Sequence, residues 1–237
     1  MAPLIKGNIK VYASTDPDFI PEDVPVAMAD ISDLKMTIVT NDPTKRYYYT
    51  LLFDDKYRVK IATRNINIPG VQNFRDLGGY PSYSTKKQMR WGMIYRSAEI
   101  DSLECSSRRE LKNLGIKTLI DLRTSSETGR QSPLQKEFNV VHIPLATGDM
   151  ENILKGIREE KIKSDTVYRM VEQMNRDLID KYTTEYRQIF DILLDKNSYP
   201  VVIHCSSGKG RTGIVSALVL AALGINEDII MEDYRLS

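Results

Sequence analysis

The chain has 237 residues, 33 Lys and Arg against 32 Asp and Glu, and a formal net charge of +1. A chain of this length buries a real core as one large or two small domains. Its near-neutral charge excludes bulk electrostatic attraction to nucleic acid or membrane, while leaving room for a local basic pocket. Two cysteines and two histidines leave little for a disulfide framework or a zinc site, and no metal or organic cofactor is expected. The first six residues, Met1 to Lys6, lack the apolar core of a secretory signal. The longest apolar stretch, 214–223, is too short to span a bilayer. A soluble protein is expected, and its compartment is left open, since export to a periplasm would require a longer N-terminus.

In chain order, strand patterns run over 9–12, 35–39, 46–53 and 57–62, with turn signals at Asp16-Pro17, Asn41-Asp42-Pro43 and Asp54-Asp55. Residues 1–65 so form a small all-β segment. They resemble part of a fibronectin-III or immunoglobulin-like sandwich, a fold that needs about seven strands, so an N-terminally truncated module is expected. Tyr47-Tyr48-Tyr49 alternates like a strand and reads as packing rather than as a stacking platform. Beyond a boundary near 62–70 the pattern becomes α/β, a sheet flanked by helices. Lys86-Lys87 marks a solvated hairpin turn. A helix over 106–113 stops at Gly115, with Cys105 at its start as a semi-buried thiol, and strands follow at 117–122 and 140–143. Residues 150–194 are mostly helical, with Ile179, Tyr182, Tyr186, Ile189 and Leu193 on one face.

The most informative stretch is His204-Cys205-Ser206-Ser207-Gly208-Lys209-Gly210-Arg211-Thr212-Gly213. A short buried strand, 199–203, leads into it, and a helix over 212–223 with Gly224 as C-cap leads out. A helix N-terminus presents free N–H groups and a favourable dipole to an anion. The amides of 206–211 can therefore cradle a phosphate, with Gly208 and Gly210 permitting the tight backbone path. Cys205 is the candidate nucleophile: cysteine attacks as thiolate, a form that helix N-termini and nearby cations favour. Arg211 offers a planar two-pronged donor for phosphate oxygens. Thr212 is placed to donate its hydroxyl to the Cys205 sulfur, and His204 to position the cysteine backbone. Gly208 to Gly213 also spells the dinucleotide fingerprint G-x-G-x-x-G, but that unit needs a second strand, and the 24 residues after Gly213 read as helix.

These residues resemble the loop of the cysteine-dependent phosphatases, the protein-tyrosine and dual-specificity enzymes. Asn73-Phe74-Arg75-Asp76-Leu77-Gly78-Gly79 is similar to the NFRDLGG signature of bacterial tyrosine and phosphoinositide phosphatases. Trp91-Gly92, Tyr95-Arg96-Ser97, Leu114-Gly115-Ile116 and Ile120-Asp121-Leu122-Arg123 with Glu127 follow in the same order. The resemblance covers roughly 66–237. The loop is also similar to that of the eukaryotic inositol-lipid phosphatase and tumour suppressor, with Lys209 and Gly210 matching and Ser206 replacing a lysine.

The resemblance implies a phosphomonoesterase fold in 66–237, with a helical lid at about 150–180. It implies a phosphorylated protein substrate, a phosphoinositide being the alternative. Ser206, Ser207, Gly208, Lys209, Gly210, Thr212, Arg75 and Asp76 are expected to bind that substrate. Many relatives carry Asp immediately before the loop arginine, whereas this chain has Gly210. A proton donor, worth roughly 10²–10⁴-fold, is therefore sought elsewhere. Asp149 is the candidate, in a stretch resembling the mobile acid loop of dual-specificity enzymes; it reads equally as a solvated loop or N-cap aspartate. Asp121 and Asp76 are weaker candidates. From another class stands a pseudo-enzyme that only reads phosphate. The chain stops inside a helix, so a fragment of a longer protein is expected.

Overall fold

Alternating apolar strands at the N-terminus pair into an antiparallel sheet in the computed structural model, which describes residues 7–40, 45–101, 103–128, 133–146, 156–159 and 164–237. Strands β1 (Asn8–Ser14), β2 (Ala27–Asp30), β3 (Tyr48–Phe53) and β4 (Tyr57–Ala62) lie in the order β2-β1-β3-β4. Three of the four expected strands form. The fourth, 35–39, does not: the free edge of β1 is taken by β2, with Asn8 opposite Asp30 and Val11 opposite Ala27. An Asp30–Asp33 capping box then turns the chain away from the sheet. Among the described residues this segment forms one four-stranded layer.

The second sheet is built from β5 (Arg75–Asp76), β8 (Ile94–Ser97), β9 (Thr118–Asp121), β10 (Asn139–His142) and β11 (Val201–His204), in the order β10-β9-β11-β8-β5. β10, β9, β11 and β8 run parallel, and β5 closes the edge antiparallel to β8. A hairpin of β6 (Pro81–Ser82) and β7 (Lys87–Gln88) holds Lys86 in its turn. Side chains along the central strands alternate between two cores, as the strand repeat demands. Ile120, Val201 and Ile203 face Leu178, Ile189 and Val219 on one side. Leu119 and Val202 face Phe74, Leu111 and Leu134 on the other.

Among the described residues five helices of more than one turn pack on these faces or follow them: α1 (Cys105–Asn113), α3 (Ser164–Lys181), α4 (Thr183–Leu194), α5 (Gly210–Ala222) and α6 (Glu227–Arg235), while α2 (Ser125–Thr128) is a single turn. The long helical stretch breaks at Tyr182, whose φ of −113° and ψ of 31° leave the helical range. The break re-phases the apolar face: Leu178 is buried in place of Ile179, which is exposed, while Tyr186, Ile189 and Leu193 are buried as expected. Cys105 is exposed at the first position of α1 rather than semi-buried, with Arg108 Nη2 3.1 Å from its sulfur. No helix among the described residues is long and apolar enough to cross a membrane.

One arginine joins the two sheets. Arg46 pairs with Asp76 at 2.7 Å and donates to the Tyr95 hydroxyl and to the Thr63 carbonyl, each at 3.0 Å. Its guanidinium lies over the Tyr48 ring. Asp76 also accepts from the backbone of Gly78 and Gly92. The Gly78-Gly79 pair is a packing requirement: a Cβ on Gly79 would lie 2.0 Å from the Trp91 ring.

Candidate active site

Parallel strands deliver their C-terminal ends to one edge, which is where open α/β sheets build sites. β11 ends in His204 and runs into the loop 205–209, and α5 starts at Gly210. Cys205 is 2% exposed at the floor of the loop, Ser207 and Lys209 are exposed at its rim, and Arg211 is buried on the first turn of α5. A cysteine thiol and a guanidinium thus flank a helix N-terminus, which presents free N–H groups between them.

The loop's shape is held from outside. The Ser206 carbonyl accepts from the Glu99 N–H at 3.2 Å. Asn73 Nδ2 donates to the carbonyls of Ser207 and Gly208, at 3.4 and 2.9 Å, and Arg96 Nη2 donates to Gly208 at 2.8 Å. In a trans peptide the C=O and the following N–H point in opposite directions. Tying carbonyls 206, 207 and 208 outward therefore turns the N–H groups of 207, 208 and 209 to the inner side of the loop. Gly208 has a φ of +68°, and a Cβ there would lie 2.5 Å from the Ser97 carbonyl oxygen, so only glycine fits. Gly210 is different: no atom lies within 4 Å of a Cβ built on it.

Arg211 is oriented by a residue to which sequence reasoning gave no role. Glu127, on α2, accepts from Arg211 Nη1 at 2.7 Å and from Nη2 at 2.6 Å. It also accepts from the Ser206 hydroxyl at 2.7 Å and from the Thr124 N–H at 2.9 Å. The two-pronged contact takes the Nη1/Nη2 end of the guanidinium and leaves the Nε edge to a substrate. The Arg211 hydrogen bonds, reinforced by Thr124 and Ser206, hold the Glu127 carboxyl well below the usual carboxylate range against a burial penalty. Glu127 therefore stays ionised at neutral pH. Burial works against the charge on Arg211, but Glu127 and the Cys205 thiolate outweigh it and keep its pKa above the ordinary arginine value.

His204 is fully buried, and burial pushes its imidazole down to about 4, with Asp121 only partly opposing. Its Nδ1 lies 3.9 Å from Asp121, too far for a hydrogen bond. Asp121 is engaged instead by the side chain of Arg123, at 2.9 and 2.6 Å. The positive charge near Cys205 thus comes from arginine and not from histidine. The Thr212 hydroxyl, expected to donate to the Cys205 sulfur, is buried without a hydrogen-bond partner among the described residues.

Arg75 and Asp76, expected to touch substrate, are placed in the framework instead. Arg75 donates to Asp233 and Asn73, and Asp76 is locked by Arg46 and two backbone amides. Both are buried where β5 packs on β8. Asp149 and most of the proposed lid lie outside the described residues. The loop, the inward amides and the paired arginine converge with the comparison to known sequences, in which residues 66–237 match the tyrosine phosphatase family.

The chain belongs to the tyrosine phosphatase family. This phosphatase is 31% identical over 192 residues to the triple specificity protein phosphatase PtpB of Mycobacterium tuberculosis, a match covering 72% of this chain and 68% of that protein. It is 26% identical over 145 residues to a tyrosine-protein phosphatase of Nostoc commune, covering 60% of this chain and 47% of that one. The chain thus spans from about half to two thirds of the length of these relatives. A solved structure of kinase associated phosphatase is 18% identical, over 68% of this chain and 82% of that one, with a TM-score of 0.38, and supports nothing further. Family membership makes the loop that of a cysteine-dependent phosphatase and implies a phosphorylated substrate.

Proposed function

We propose that this phosphatase removes phosphate from phosphotyrosine in proteins by way of a phosphocysteine intermediate. The observation that carries this reading is the pairing of Cys205, at the floor of an amide-lined loop, with Arg211 held end-on by Glu127. In the first step the Cys205 sulfur attacks phosphorus in line, the S–P bond forms and the bond to the leaving oxygen breaks. The leaving oxygen takes a proton from Asp149, the proposed acid, which follows β10 in the sequence. In the second step water attacks the phosphocysteine, its proton returns to Asp149, the S–P bond breaks and the thiolate is restored. The inward amides and Arg211 stabilise the charge on the equatorial oxygens in both transition states.

Residues 66–237 carry the chemistry in this reading, and the segment before residue 66 acts as a brace anchored through Arg46. The relatives are named as protein phosphatases, which weighs against the phosphoinositide alternative, although the exposed Lys209 at the rim would suit a multiply phosphorylated head group.

The test uses para-nitrophenyl phosphate, with and without vanadate, and a panel of phosphotyrosine peptides, phosphoserine peptides and phosphoinositides. Cys205→Ser abolishes turnover while retaining phosphate binding, and phosphotyrosine peptides are the best substrates. In the same panel Asp149→Asn slows poor leaving groups strongly and activated aryl phosphates little. Turnover by Cys205→Ser above background refutes the nucleophile, and a vanadate-insensitive, inactive wild type supports the pseudo-enzyme.

A further inference from the structure

Behind the phosphate loop lies a buried cluster that neither the chemical steps nor the substrate contacts use. Arg96 is 0% exposed, Arg75 1% and Asp233, on α6, 1%. Asp233 accepts from Arg96 Nη1 at 2.6 Å, from Arg75 Nε at 3.3 Å and from the Tyr80 hydroxyl at 2.9 Å, and its carbonyl accepts from Arg75 Nη2 at 2.9 Å. Two buried arginines share one buried carboxylate, so the group keeps a net positive charge. Burying charge without compensation is costly, and a purely structural ion pair is readily replaced by apolar packing. Across the loop stand the Cys205 sulfur and the place where the phosphatase reading seats the phosphoryl group, both of which carry negative charge during turnover. In line with this, burial and Arg75 lower the Arg96 pKa, while Asp233 and the Cys205 thiolate oppose that shift.

The second arm of Arg96 gives the cluster its direction. With Nη1 on Asp233, Nη2 donates to the Gly208 carbonyl at 2.8 Å, and Asn73 Nδ2 reaches the same oxygen at 2.9 Å. Two donors on one carbonyl fix the 208–209 peptide plane and point the Lys209 N–H into the bowl. We propose that Arg96, clamped by Asp233 of α6, is a positioning residue that aims the Lys209 amide at the transferring phosphoryl group and places a buried positive charge behind it. The proposal rests on the phosphatase reading of the loop. It adds a link between α6 and the oxyanion contacts that the loop sequence does not contain.

Arg96→Lys tests it, because lysine keeps a cation for Asp233 but cannot serve Asp233 and Gly208 at once. In the full chain, kcat for para-nitrophenyl phosphate falls roughly 10- to 100-fold, below the full cost of losing an oxyanion donor because Asn73 still holds the carbonyl. Vanadate affinity falls in parallel. On titration with vanadate the Lys209 amide resonance, which shifts in the wild type, shifts much less, while the resonances of the remaining loop amides move as before. Wild-type kinetics with an unchanged Lys209 shift overturn the positioning role. So does an equal loss at every loop amide accompanied by a lowered urea midpoint, which marks a structural role only. Should Arg96→Lys not fold, Asn73→Gly removes the other donor to the same carbonyl and suits the φ of +57° at that position. Because Asn73 also holds the Ser207 carbonyl, the vanadate shifts of the Lys209 and Gly208 amides must weaken together while the other loop amides move as before, and an unchanged Lys209 resonance overturns the proposal. A wild type that binds no vanadate sinks the phosphatase reading first, and this proposal with it.

Discussion

Acidification from pH 7 to pH 5 isolates one buried group. His204 is fully buried beside the nucleophile and its imidazole is pushed down to about 4 by burial, from an ordinary value of 6.5. In the unfolded chain the same ring protonates near 6.5. Between those values the unfolded state binds more protons than the native state, so stability rises with pH and is lost as pH falls. The neutral ring's contribution is complete above about pH 6.5 and is lost progressively toward pH 4. Linkage over this interval gives about 2 kcal/mol lost between pH 7 and 5, and about 3 kcal/mol by pH 4. In a chain of this size about 2 kcal/mol corresponds to a drop in Tm of roughly 4–8 °C. The carboxylates with depressed pKa, Asp121, Glu127 and Asp233, act lower, as pH falls through and below the ordinary carboxylate range.

The assay is urea unfolding at pH 7, 6 and 5 and constant ionic strength, for the wild type and His204→Asn. The variant is less stable at pH 7, because a buried ring is removed, but its stability changes less over this interval by about 2 kcal/mol. His142, the other histidine of the chain, is common to both proteins and cancels in the difference. Equal pH slopes for the two proteins refute the buried neutral histidine. A wild type that gains stability relative to the variant as pH falls shows instead that the Asp121 carboxylate keeps His204 protonated across the 3.9 Å gap.

Two further substitutions separate the parts of the loop. Glu127→Gln removes the charge that holds both terminal nitrogens of Arg211, and a small misalignment of a positioned group costs on the order of 10²-fold. A fall in kcat/KM of about 10- to 100-fold is expected with an activated aryl phosphate, and unchanged kinetics would show that Arg211 needs no such partner. Gly208→Ala forces a left-handed backbone worth about 1–2 kcal/mol, together with a clash on the Ser97 carbonyl, whereas Gly210→Ala meets open space. The first should lower the urea midpoint and abolish vanadate binding, the second should leave the midpoint near wild type, and equal effects would contradict the loop geometry.

What the sequence reveals here depends on the distance over which an interaction acts. The loop and its flanking strand and helix are legible because nucleophile, guanidinium and helix N-terminus sit within ten consecutive residues. β11 and α5 accordingly fall within two residues of their expected starts. Strand 35–39 was expected on local composition that suits a strand well, yet it lost its place to 27–30, whose sequence is poorer, because pairing depends on which edge the chain reaches first. Arg75, Asp76, Arg96 and Asp233 are charged and read singly as solvent or substrate contacts; only the fold reveals that Arg75 and Arg96 share Asp233 in the interior while Asp76 pairs with Arg46. Glu127 and Arg211 lie 84 residues apart, and Arg96 and Asp233 lie 137 apart. Amide N–H groups bind phosphate only where their preceding carbonyls are held the other way, and those carbonyls are held by Glu99, Asn73 and Arg96. The decapeptide therefore specifies the reaction, while the direction in which its amides point is specified by residues on other strands and on α6.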